Sequence, residues 1–122
     1  MNPQQYLLPL TNQLDLLIQV VNESPYLSSE CRKQLDKEIY DLKERFEEGA
    51  VSFSQGEHTL RDLNNRAAMD EITNLMNKIH YLNPSSSRLE MLRELSRQLG
   101  EGEASPEQVR ESINQIMQVS LK

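Results

Sequence analysis

Residues 47–60 read EEGAVSFSQGEHTL, and how this stretch is parsed decides the fold. A charged helical pattern runs up to it and another leaves it. Between them lie Gly49 and Gly56, with Val51 and Phe53 two apart. On the upstream side Leu35, Ile39, Leu42 and Phe46 recur at 4-3-4 spacing, an a/d seam of almost two heptads with charge on either flank. The next rungs of that seam are Gly49 and Phe53. Glycine falls where a large residue is wanted, and Gly56 suits a left-handed helix stop. A strand from Val-Ser-Phe alone is too short to stand without a partner. The expectation is an antiparallel helical hairpin with its turn around Ser54–Glu57 and Phe53 capping the end of the core.

Outward from the hairpin the chain keeps reading as helix. Downstream, a helix starting near Glu57–Thr59 carries Leu60, Leu63, Ala67, Ile72, Leu75 or Met76, Ile79 and Leu82, and Asn83-Pro84 ends it. Ser85–Ser87 should cap RLEMLRELSRQLG, with Leu89, Leu92, Leu95 and Leu99 on one face and Gly100 as its stop. Ser105-Pro106-Glu107-Gln108 combines an N-cap serine, proline at the first helical position and glutamine three residues after the cap. The helix it opens turns Val109, Ile113, Ile116 and Met117 inward, with Leu121 near its end. No sequence repeat stands out.

Upstream, Ser24-Pro25 breaks the chain and Ser28 or Ser29 caps the helix bearing Cys31. The first helix begins near Asn2–Pro3, or near Thr11 after a kink at Pro9, and runs to about Asn22. Its apolar positions are Leu7, Leu10, Leu14, Leu17, Ile18 and Val21, with Leu16 and Val20 off that stripe. So wide an apolar face needs cover on two sides. The whole is therefore expected to be all-α, a single helical domain over 1–122 forming a four- to five-helix antiparallel bundle around the 28–82 hairpin. The surplus apolar helix suggests a homodimer through the first helix or the hairpin seam.

Bulk properties exclude several function classes. The chain has 122 residues, 26% charged, and a net charge of −6. That sign repels a nucleic-acid backbone, so no nucleic-acid partner is expected. Cys31 is the one cysteine, which rules out an intramolecular disulfide and fits a reducing compartment. The first 31 residues hold no Lys or Arg and Asp15 interrupts the apolar run, unlike a signal peptide. No apolar run is long enough to span a bilayer, so no membrane role is expected. The chain should be cytoplasmic, or delivered into a host cytosol without an N-terminal signal.

Chemistry finds little footing. Cys31, beside Arg32 and Lys33 at a helix start, has the setting of an activated thiol, but sequence brings neither His58 nor His80 to it. A small residue in the first turn facing the core is the simpler account, and a cysteine-dependent enzyme is the remote alternative. Neither histidine has metal-ligand spacing. Glu47-Glu48, Asp70-Glu71 and Glu101/Glu103 lie on polar stretches, where no carboxyl is driven toward general-acid work. No calcium-loop or phosphate-cradling motif occurs. The residues assign no catalytic, cofactor or metal site.

What stands above background is apolar surface. Leu7, Leu10, Leu14, Leu17 and Ile18 exceed one face of a helix, and Val51, Phe53, Tyr26 and Tyr81 fall at element ends, where such residues either serve an interface or cap the bundle's core. The expected function is non-enzymatic: an adaptor or inhibitor that docks on a partner protein. An acidic surface favours a partner, for instance an enzyme, with a basic groove. The other reading is a structural or assembly subunit, a coiled-coil component of a larger complex. In build, with the opening LTNQLDLLIQVV and the helix EIYDLKERFEEG, the chain resembles the small acidic all-helical regulators that bacteria pair with secreted effectors. That group includes the inhibitor of Legionella ubiquitin-deamidating and transglutaminating effectors. The resemblance implies an effector-binding role and assigns no site residue.

Overall fold

Five helices and no strand make up the described part of the chain, residues 10–119 of this computed structural model: α1 (Leu10–Glu23), α2 (Ser29–Glu47), α3 (Phe53–Leu82), α4 (Ser87–Gly100) and α5 (Pro106–Val119). The protein is an all-α bundle. No described helix is long and apolar enough to cross a membrane. The alternative starts near Asn2–Pro3, together with Leu7 and Leu121, lie outside the described residues.

Packing divides the chain into two compact units. One holds α1, α2 and α3 as far as Asn64; the other holds Tyr26–Ser28, α3 from Asn65, α4 and α5. Helix backbones approach most closely between α1 and α2 and between α4 and α5, and α3 contributes to both units. In the first unit, Leu10, Leu14, Leu17 and Val21 of α1 are buried, as are Leu35, Ile39 and Leu42 of α2 and Leu63 of α3. Each such aliphatic contributes about 1.5–3 kcal/mol by leaving water. α1 has no basic residue in its last turn. Arg32 of α2 serves its open end instead, donating to the carbonyls of Asn22 and Ser24 at 3.2 and 2.8 Å.

The second unit is built on Ala68, Ile72, Leu75 and Ile79 of α3, Leu89, Leu92, Leu95 and Leu99 of α4, and Val109 and Ile113 of α5. Asp70 and Asn74 pin the preceding 26–28 segment to α3. Asp70 accepts from the Ser28 backbone N–H at 3.1 Å, and the Asn74 amide donates to the Tyr26 carbonyl at 2.9 Å. The one ion pair with both side chains largely buried among those described is here: Arg110 Nε donates to Glu71 Oε1 at 3.0 Å, with side chains 19% and 6% exposed.

The turn between α2 and α3 lies earlier than its sequence suggests. α2 ends at Glu47 and Gly49, at φ +77°, is the left-handed residue. Its N–H donates to the Phe46 carbonyl and that of Ala50 to the Arg45 carbonyl, the paired bonds of a Schellman stop. Ser52 then caps α3: its hydroxyl accepts from the Gln55 N–H at 3.2 Å, while Gln55 Oε1 accepts from the Ser52 N–H at 3.0 Å. Phe53 is the first residue of α3, not the end of a core seam. Gly56 is interior to the helix and buried, because an added Cβ would run into Leu10 Cδ2. Its role is close approach, not a stop.

The α4–α5 connection repeats this construction. The stop expected at Gly100 is at Gly102, φ +76°, whose N–H bonds the Leu99 carbonyl while that of Glu103 bonds Gln98. Ser105 and Gln108 cap α5 reciprocally at 3.2 and 2.9 Å, as the sequence predicts. Residues 48–55, EGAVSFSQ, and 101–108, EGEASPEQ, are thus one helical corner built twice, sharing Glu-Gly, Ser and Gln in register. No repeat was expected, because four shared letters spread over eight residues are invisible until their hydrogen bonds coincide.

Candidate docking surface

The α2–α3 corner places an aromatic pair at the end of the first unit. Phe46 and Phe53 stack edge to face with centroids 6.5 Å apart, an arrangement that holds both rings in place. Phe46 and Val51 are half-buried and Phe53 is 45% exposed. Around them residues 44–57 carry four glutamates against one arginine, a net −3. Arg45 sits 4.0 Å from Asp41, and Lys43 is engaged across the helices by Asp15 at 2.8 Å. That hydrogen bond holds the Lys43 ammonium above its ordinary pKa.

The α4–α5 corner is also acidic, but its carboxylates converge on a guanidinium. Arg97 bonds Glu94, Glu101 and Glu103 together, with Glu103 Oε2 at 2.8 Å. Its guanidinium holds the Glu94 and Glu103 carboxyls below the ordinary glutamate range. The same carboxylates drive the Arg97 pKa upward. A shallow concavity of about 340 Å³ lies beside this corner, lined in part by Leu95, Glu103, Gln108 and Glu111.

The other sequence-derived candidates separate sharply. Leu10, Leu14 and Leu17 are at most 4% exposed and serve as core of the first unit, because the 4-3-4 stripe of α1 meets α2 in the same subunit. They offer no docking surface. Ile18 is half-buried. Tyr26 is partly buried and packs against the core of the second unit. Tyr81 is 86% exposed in the last turn of α3.

Several exposed apolar residues escaped selection. Leu82 was expected on the buried stripe of α3 but is 72% exposed, since α3 ends there. Leu16 is 51% exposed, and its place off the α1 stripe was the available signal; Tyr40 and Met91 are also exposed.

Cys31 is partly buried in the first turn of α2. His58 lies 3.6 Å from Asp62 with both exposed, and His80 is exposed. Among the described residues no three His, Cys, Asp or Glu side chains are grouped to hold a metal ion. No protein-family model matches the chain, and no curated protein or solved structure matches it either.

Proposed function

We propose that this chain is a non-enzymatic protein-binding module, an adaptor or inhibitor that docks on a partner through apolar surface at helix ends. The observation that carries this reading is the apolar surface left over once both interiors are filled. Leu16, Tyr40, Phe53, Tyr81, Leu82 and Met91 stay 45–86% exposed although each unit has a closed aliphatic core. Aromatic and methionine side chains of this kind are enriched at protein interfaces. The net charge of −6 favours a basic partner surface and speeds its approach. The resemblance to effector regulators points to a secreted effector enzyme as that partner.

The test is affinity capture by wild type and by a Phe53→Ser/Tyr81→Ser/Leu82→Ser variant of equal helicity. A protein retained stoichiometrically by wild type and lost by the variant is the expected result. Equal retention by both, or none by either, would overturn the reading. Light scattering of the purified chain checks the assembly alternative: a discrete monomer or homodimer fits the binding module, and mass growing without limit fits an assembly subunit.

A further inference from the structure

Granted the binding-module reading on which this rests, we infer that the α2–α3 corner, centred on Phe53, is the docking knob. Its partner presents an apolar pocket rimmed by lysine or arginine. The α4–α5 corner serves as an internal control for this assignment. Both corners share the stop glycine, the capping serine and the capping glutamine, so those residues account for the turn itself. Whatever differs is not required by the turn.

Two differences stand out. At the first helical position the second corner has Pro106, buried and favoured there because its missing N–H has no intrahelical acceptor. The first corner has Phe53 at that position, 45% exposed and braced by Phe46. A helix start does not need an aromatic; a binding anchor does. The second difference is charge. Arg97 draws Glu94, Glu101 and Glu103 of the second corner onto one guanidinium, and 53 residues earlier its place is taken by Glu44. Arg45, the arginine of the first corner, sits 4.0 Å from Asp41, and Glu44, Glu47 and Glu48 keep the stretch beside Phe53 net negative.

Helix dipoles do not alter this sign. The C-terminus of α2 and the N-terminus of α3 meet at the same corner, and their partial charges of about −0.5 and +0.5 cancel. The side chains decide, and they total −3 over residues 44–57. A partner surface of the opposite sign around an apolar hollow matches both features.

The test uses the second corner as a template. Phe53→Pro and Glu44→Arg convert the first corner into the pattern of the second while respecting its helix start. The probe is a synthetic amphipathic peptide of alternating lysine and leucine, followed by amide NMR shifts, with a glutamate–leucine peptide as counterpart. The cationic peptide is expected to shift amides of residues 44–57 selectively. Each substitution should weaken its binding about tenfold, and 0.5 M salt should weaken it further. Unfolding midpoints within a few degrees of wild type show that the corner still folds.

Equal or larger shifts at residues 94–111, or affinities untouched by both substitutions, would overturn the assignment. Capture of the natural partner, run in parallel, separates the two levels. A partner retained by Phe53→Pro/Glu44→Arg but lost on the Phe53→Ser/Tyr81→Ser/Leu82→Ser variant refutes the knob and keeps the binding module. Failure of wild type to retain any partner refutes the reading beneath it.

Discussion

The two helical corners use the same hydrogen bonds to do different work. In the second unit the corner is stabilised by what surrounds it: Pro106 is buried, Val109 and Ile113 enter the core, and Arg110 reaches Glu71. In the first, the matching positions hold Phe53, Gly56, Leu60 and Glu57, of which only Gly56 is buried. A shared turn thus leads into a helix start that enters the core in one unit and into a less buried one in the other. Turn geometry is set locally, by two backbone stops and a capping box. Whether the turn carries surface or core is set by the residues hung on it.

The largest effect separating the corners should come from Arg110. Arg110→Ala takes a charged hydrogen bond from the buried Glu71 carboxylate and should cost about 3 kcal/mol in urea unfolding. The double change Glu71→Leu/Arg110→Met should recover most of that loss. Glu57→Ala, the corresponding change in the first corner, should lie within about 0.5 kcal/mol of wild type. Equal losses at the two sites would erase the contrast between the more buried and the less buried helix start.

Next comes Gly56. Alanine there gains about 1 kcal/mol of helix propensity but must displace the fully buried Leu10, an overpacking cost of about 1–3 kcal/mol. A net destabilisation of about 1 kcal/mol is expected. Gly49→Ala and Gly102→Ala meet no atom but must hold a positive φ, so each should lose about 1 kcal/mol, and by equal amounts. A stabilised Gly56→Ala would show that α1 and α3 have room to spare.

The capping boxes offer a sharper comparison with smaller terms. Ser52→Ala and Ser105→Ala should each cost about 1 kcal/mol, since the reciprocal bonds match within 0.1 Å. A difference above about 0.5 kcal/mol between them would mean that the corners are not energetically alike.

The smallest effect concerns charge at the second corner. Glu94 and Glu103 have folded pKa values lowered mainly by hydrogen bonds from Arg97. Their contribution is therefore present above the ordinary glutamate pKa and is lost as pH falls through the lowered values. Carboxyl NMR titration should find both midpoints below normal, and Arg97→Gln should raise them. Unchanged midpoints would mean that solvent already screens the Arg97 cluster, leaving both corners electrostatically similar.

Much of the fold was legible in sequence because it rests on local rules. The 4-3-4 stripes of α1 and α2, the 3-3-4 stripe of α4 and the SPEQ cap follow from helical periodicity and from the N–H groups every helix start must satisfy. The exposure of the candidates was half legible: Phe53 and Tyr81 are exposed, whereas Leu10, Leu14 and Leu17, read as spare surface, lie in the core of the first unit. Periodicity says that a stripe will be covered and not which chain covers it. SFSQ obeys the same capping rule as SPEQ, yet Gly56 directly after it mimicked a stop and moved the turn by several residues.

Sequence by itself determined that this protein is helical, where most of its helices break, and that its net charge is negative. Those properties depend on neighbours a few residues apart. Tertiary structure alone decided that Gly56 marks a close approach to Leu10, that Glu71 finds Arg110 thirty-nine residues away, and that Phe53 stays outside. Each depends on which distant side chain occupies the adjoining space, and a one-dimensional pattern does not specify that.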